Sequence, residues 1–378
     1  MRVLFASTRG AGHVGPLIPL ARACLRAGHD ILLVAPASAA RSDLPFRAVA
    51  EPTAEEVAAV WKPMWPPSPV PAAKVIEELF VGLYARAALP AMLDAVTEWH
   101  PDVIVRETME FSSALAAERY EVPQVRFGIH LDARTDGDER MTALAAAALD
   151  GLRADAGLDP DPDAAELRRS PLYTLAPRSF GGLAGVRRFR DEVPPHRSPD
   201  WERPLVYVSF GSEAPRSELF PDLYRAAIDA LAELPVRGLV TIGNGRDPAE
   251  LGPLPPSVRV ERWVPQAAVM PRAAAMVGHG GSGSTLMALA AGVPQVLVPL
   301  FVDGPSNARR VAEVGAGIVL DGGPAADIGG AVREVLAMPR YSWAAGLVAA
   351  EILALPPIDD AVVELEGVLR GASSPAVR

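Results

Sequence analysis

Residues 277–311 read VGHGGSGSTLMALAAGVPQVLVPLFVDGPSNARRV, and the fold is decided there. Ala273 to Val277 is an apolar run of strand length, and Thr285 to Ala291 is a run of good helix formers that stops at Gly292. Between them lies HGGSGS. Gly280, Gly281 and Gly283 permit positive φ and close backbone approach, and the amides of Ser282, Gly283 and Ser284 would point out of the new helix, where the macrodipole adds partial positive charge. A diphosphate fits that turn, with His279, Ser282 and Ser284 as side-chain donors. Gly292 and Pro294 then break the chain before a second buried strand, Gln295 to Pro299. Asp303 follows at the carboxyl edge, where open α/β sheets bind ligands. An acid beside a phosphate site makes sense if it reads hydroxyls, so the segment predicts a nucleotide-sugar site.

The N-terminus has the same logic. Arg2 to Ser7 reads as a buried strand, Leu17 to Ala27 as a helix closed by Gly28, and Ile31 to Ala35 as the next strand. The turn contains GAGHVG, residues 10–15, a formal GxGxxG, so a dinucleotide site must be weighed. That fold expects an acid after the second strand to hold a ribose, but ILLVA is followed by Pro36, Ala37 and Ser38, and Asp30 lies at the wrong edge. What the loop offers instead is His13, a titratable group at the carboxyl end of the first strand.

Between Glu51 and Ala73 runs WKPMWPPSPVPAA, too proline-dense for regular structure and too aromatic for a solvated linker. A helix is expected over Lys74 to Val96, then a strand and edge loop in PDVIVRET, a strand at Gln124 to Phe127, and helices over Arg134 to Asp163. VPPHRSPDWERP, Val193 to Pro204, has the composition of a linker. A second α/β half opens with LVYVSFGS: strand Leu205 to Phe210, helix Phe220 to Leu231, and strands Gly238 to Ile242 and Val258 to Glu261. Ser342 to Ala354 and Asp359 to Leu369, interrupted by Pro356 and Pro357, predict a kinked helix pair.

Composition closes off several classes. The 378 residues, 49% of them hydrophobic, suffice for two domains. A net charge of −10 argues against a nucleic-acid partner. Cys24 is the single cysteine, which excludes an intrachain disulfide and fits a reducing cytoplasm, with the thiol itself in a core position. MRVLFAS lacks the features of a signal peptide, and no unbroken run reaches the roughly 18 apolar residues of a membrane span. The DPD in DPDPD matches a DxD metal motif, but no apolar strand precedes it, and it reads as a surface turn.

The donor segment resembles the signature of GT-B glycosyltransferases of family 1, in particular the bacterial enzymes that tailor antibiotics and other natural products; their pattern is roughly HHGGxGTxxxALxxGVPQxxxPxxxDQxxNAxxV. Here Gly278 stands for the first His, Ser284 for the usual Thr and Gly304 for a common Gln, which leaves the sugar open. GAGHVGPLIPLA is similar to their GxGHxxPxxxLA, and RWVPQ at 262–266 resembles their WVPQ segment. Outside these three motifs the resemblance is architectural.

The resemblance implies two Rossmann-like doubly wound α/β domains facing a central cleft, an acceptor-binding one over 1–195 and a nucleotide-sugar-binding one over 204–354, with a helix over 355–371 crossing back to the first. It implies an inverting, metal-independent hexosyltransferase without a cofactor. Such an enzyme moves a hexose or deoxyhexose from a TDP- or UDP-sugar to a hydroxyl of a hydrophobic natural product such as a polyketide aglycone. His13 is then the general base, oriented by Glu107, with Glu110 as the alternative in RETMEF. Trp263, Val264 and Gln266 would hold base and ribose; Gly211, Ser212, His279, Gly281, Ser282, Gly283, Ser284 and Asp303 would hold diphosphate and sugar. Trp61, Trp65, Phe80, Tyr84, Phe111 and His130 are the acceptor candidates. The expected assembly is a cytoplasmic monomer or homodimer. Two other functions fit the same fold: a nucleotide-sugar 2-epimerase, and a noncatalytic helper of a glycosyltransferase.

Overall fold

The computed structural model describes every residue except 42, 62–73, 133–138, 163–164, 193–201, 301–302, 322–325 and 373–378. It divides into two compact units, Met1–Glu192 with Pro356–Arg378, and Val193–Leu355.

The first unit is built on a seven-stranded parallel sheet in the order β3-β2-β1-β4-β5-β6-β7. Its strands are β1 (Arg2–Ala6), β2 (Asp30–Pro36), β3 (Phe46–Val49), β4 (Val103–Glu107), β5 (Gln124–Phe127), β6 (Leu172–Thr174) and β7 (Arg187–Arg188). RVLFA and VIVRE are near-continuous apolar runs because both faces of a parallel sheet are covered, and β1 lies beside β4 with Phe5 opposite Val105 and Ala6 opposite Arg106. The chain leaves β1 toward β2 on one side and reaches β4 on the other, so the gap between β1 and β4 is the switch point of the sheet.

The second unit repeats the plan with six parallel strands in the order β10-β9-β8-β11-β12-β13. These are β8 (Leu205–Ser209), β9 (Arg237–Thr241), β10 (Val258–Glu261), β11 (Ala273–Gly278), β12 (Gln295–Leu297) and β13 (Gly317–Val319). Its switch point lies between β8 and β11.

Two expectations needed revision. The short strands β3, β6, β7 and β13 carry too few apolar residues to announce themselves. The helix expected over 74–96 is two kinds of helix in series, a π-helix over Val75–Ala85 and an α-helix over Arg86–Trp99. By length and composition this 25-residue stretch could cross a bilayer, yet half of its most apolar window is buried in the first unit, as for a core helix.

The tail forms helices Pro339–Leu353 and Ile358–Ala372. The second lies in the first unit, where Ile358, Ala361, Val362 and Leu365 share a core with Leu17, Leu20 and Cys24. Arg26 pairs with Asp359 at 2.7 Å and Arg187 with Glu364 at 3.3 Å, and Pro357 bridges Arg190. Burial pushes the Cys24 thiol up to about 12, so it behaves as a small apolar core residue.

Candidate active site

In the first unit, β1 ends at Ala6 and the chain turns through Gly10, whose φ of 103° only glycine adopts without strain. One helical turn, Ala11–Val14, then lifts His13 to the carboxyl edge of the sheet. Glu107 is the last residue of β4, directly across the switch point, and it is fully buried. His13 Nδ1 lies 3.0 Å from Glu107 Oε1. The same carboxylate accepts from the Thr8 hydroxyl at 2.8 Å, the Thr8 amide at 3.3 Å and the Met109 amide at 2.6 Å. Burial by itself drives the Glu107 pKa up, but the neighbouring His13 and these hydrogen bonds together bring it below the ordinary 4.5. An ionised carboxylate can only accept, so Nδ1 is the donor, and in the neutral tautomer that this bond selects the lone pair lies on Nε2.

Glu110 does something else. Its carboxylate accepts from the Ser112 amide at 2.9 Å, the Ser113 amide at 3.0 Å and both serine hydroxyls, capping the helix Ser112–Arg119. Burial raises its pKa against those bonds. Of the two candidate acids, the structure brings only Glu107 to His13. Beside them Arg106 is buried, donating to Gln124 Oε1 and to the Glu110 carbonyl at 3.0 Å each; burial and nearby Arg126 lower it to about 10.

Among the acceptor candidates, Phe80 touches the site: its ring centroid is 5.4 Å from that of His13, and Tyr84 lies 6.1 Å beyond it. Phe111 departs from expectation, being buried in the core with Leu115 and Leu149. His130 is half-buried after β5. Trp65 and the side chain of Trp61 fall outside the described residues, although Trp61 ends the helix Ala54–Trp61. In the DPDPD stretch, Asp161 accepts from the amides of Ala165 and Glu166, which begin a short helix.

In the second unit, Gly211 follows β8 with φ 79° and Gly280 follows β11 with φ 84°. A β-carbon on Gly211 would come within 2.6 Å of the His279 ring, and one on Gly281 would collide with the same ring. A β-carbon on Gly280 would sit 2.6 Å from the Gly304 carbonyl, and one on Gly304 would sit 2.7 Å from the His279 carbonyl. These four glycines therefore close the loop upon itself around the imidazole. Gly304 replaces a common Gln where this packing leaves no side-chain volume. Gly283 differs, since open space surrounds it. Burial holds His279 below the ordinary 6.5, against the influence of Asp303 and the Ser209 backbone, so the ring is neutral near pH 7.

The helix Ser282–Ala290 starts here. Sequence reasoning left all three leading amides to a diphosphate, but Asp303 accepts from the Ser282 amide at 3.1 Å and its hydroxyl at 2.8 Å. Buried Asn307, a residue the reading passed over although it lies in SNARRV, donates to Asp303 at 3.1 Å, to Ser282 Oγ at 3.2 Å and to the Gly280 carbonyl at 2.8 Å. Gly283 and Ser284 remain in the first turn, where a helix has no acceptor of its own for its amides. Ser284 Oγ meets Gln266 at 3.2 Å, and Gln266 also donates to the hydroxyl of buried Tyr207 at 3.2 Å. Trp263 is 63% exposed, so its indole is a surface and not core, with Val264 half-buried beside it. Ser212 is exposed next to Gly211.

Comparison with known proteins gives the family. Residues 225–368 match the model of the C-terminal domain of proteins like erythromycin biosynthesis protein CIII. The chain is 33% identical to the L-demethylnoviosyl transferase of Streptomyces niveus, covering 85% of each chain, and 31% identical to the elloramycin glycosyltransferase ElmGT of Streptomyces olivaceus, covering 97% of each. Among solved structures, the calicheamicin glycosyltransferase CalG4 is similar at 26% identity and a TM-score of 0.78, with 99% of both chains covered. The glycosyltransferase VinC, solved in complex with DTDP, is similar at 25% identity and a TM-score of 0.77, covering 98% of this chain and 100% of that one. With a third of its residues shared across most of two tailoring enzymes, and both of its sheets found again in solved GT-B structures, this chain belongs to the antibiotic-tailoring GT-B glycosyltransferases and is a hexosyltransferase.

Proposed function

We propose that the chain transfers a hexose or deoxyhexose, with inversion and without a metal ion, from a TDP- or UDP-sugar to a hydroxyl of a hydrophobic natural product. The observation that carries this reading is the 3.0 Å bond between His13 Nδ1 and buried, ionised Glu107. It leaves Nε2 to take the proton of an incoming hydroxyl as its oxygen attacks the anomeric carbon, and Glu107 stabilises the imidazolium that forms. The C1–O bond to the diphosphate breaks from the opposite face, which inverts the centre. Charge on the departing diphosphate meets the amides of Gly283 and Ser284 at a helix N-terminus, with the Ser282 and Ser284 hydroxyls beside them. Asp303, held by buried Asn307, fixes Ser282 and lies close enough to that turn to meet sugar hydroxyls. Trp263 offers a face for the base.

A thymidine diphosphate donor is supported by likeness to VinC, whose structure holds DTDP. Phe80 provides an apolar wall next to the base for the acceptor. The test is His13→Ala assayed with TDP- and UDP-sugars and a panel of aromatic and macrocyclic alcohols, in buffer with and without EDTA. Turnover should drop roughly 100- to 10,000-fold, the span of general base catalysis, and EDTA should leave the wild type unchanged. Undiminished turnover in H13A removes the reading.

A further inference from the structure

The segment Val75–Ala85 is a π-helix of 11 residues, and π-turns are rare and usually single. Its sequence demands the wider turn. One apolar face runs Ile76, Val81, Ala85 and packs in the core with Leu115 and Leu149; the other runs Val75, Leu79, Tyr84 and packs in a second cluster. Each face contains one five-residue step, Ile76 to Val81 and Leu79 to Tyr84. An α-helix aligns residues three or four apart, so it would take one partner of each pair out of contact. Phe80 lies between the faces, packs against both clusters, and meets the His13 ring at 5.4 Å with the two planes tilted by 44°.

Gly82 lies five residues after Glu77, and a β-carbon there would stand 2.9 Å from the Glu77 carbonyl oxygen. A backbone atom cannot rotate away, so a methyl at this position would have to shift the turn itself. Glycine is otherwise a poor choice for a helix interior.

We propose that Gly82 is a positioning residue for the transfer: by admitting the π-turn it holds Phe80 against His13, and Phe80 in turn sets where an acceptor hydroxyl can approach Nε2. This rests on the reading of His13 as the base. Alanine is the better helix former, but its methyl would stand 2.9 Å from the Glu77 carbonyl, so Gly82→Ala shifts the turn and pulls Phe80 off the imidazole without removing any side chain of the site.

The contact is read by NMR of protein labelled at histidine, with the His13 signal assigned through its absence in H13N. Phe80→Leu removes the ring current and shifts that signal, and Gly82→Ala is expected to shift it the same way. In kinetics with 4-methylumbelliferone as acceptor and TDP-glucose as donor, both variants should raise the acceptor KM about two- to tenfold, the worth of one aromatic contact, and leave the donor KM unchanged. The double variant should be no worse than F80L, because Gly82 acts through Phe80. An unmoved His13 signal in G82A, an F80L enzyme with wild-type acceptor KM, or losses that multiply in the double variant would overturn the proposal; should G82A not fold, F80L decides. The NMR readout is independent of catalysis, so an active H13A would remove the base and still leave the Gly82–Phe80 contact to be judged.

Discussion

The base site and the glycine cradle occupy equivalent places in two similar sheets, the carboxyl edge at the switch point, yet they are made of opposite materials. In the first unit the essential feature is a charge: Glu107 is out of water, and four donors from Thr8, Met109 and His13 stabilise it. In the second unit it is the absence of side chains, since Gly211, Gly280, Gly281 and Gly304 let the backbone fold tightly around a neutral imidazole. On the proposed reading the same scaffold position serves proton transfer in one unit and anion binding in the other, and the two should fail in different ways.

The largest separation is expected from Glu107→Gln. Volume is conserved but the charge that stabilises the imidazolium is lost, so kcat should fall roughly 100-fold or more while calorimetric binding of TDP stays at its wild-type strength. Weakened TDP binding in this variant would mean that the two sites are not separable. Gly280→Ala should do the reverse: with φ at 84° and a carbonyl 2.6 Å from the new methyl, the loop must move, and TDP binding should weaken about tenfold for strain of the usual 1–3 kcal/mol. The bond between His13 and Glu107 should be untouched.

Acid stability gives the smallest effect and the finest discrimination. The folded pKa of His279 lies below 6.5, so as pH drops under that value the unfolded chain takes the proton first, and stability present above 6.5 is lost. Glu107 acts in the same direction but only in the range under 4.5. Chemical denaturation between pH 7 and 5 should therefore show a loss bounded by about 1.4 kcal/mol per pH unit, and His279→Gln should flatten it. A slope that survives in H279Q assigns the acid sensitivity elsewhere.

The contrast also explains what could be read from the chain. Both glycine loops, the WVPQ segment and the long central strands were legible because each is local: a few residues fix a turn, and an apolar run fixes a buried strand. Glu107 could be favoured over Glu110 because the family resemblance puts an acid at that strand end, but only three dimensions showed Glu110 turned to Ser112 and Ser113. The clamp of Asp303 and Asn307 on Ser282 stayed hidden because its partners lie about 20 residues apart and no spacing rule joins them. Short strands such as Arg187–Arg188 owe their conformation to a neighbour and not to themselves. The five-residue steps in 75–85 were present in the sequence, but a search for periods of 2 and 3.6 passes over them.

The order of synthesis has a consequence for the return of Ile358–Ala372 to the first unit. Leu17, Leu20 and Cys24 are translated early, and the residues that cover them, Ile358, Ala361, Val362 and Leu365, come more than three hundred positions later. On the ribosome the N-terminal half must wait with an apolar groove open while the whole second unit emerges and folds. Until those later residues emerge, the first unit carries an apolar surface that its own chain has yet to cover.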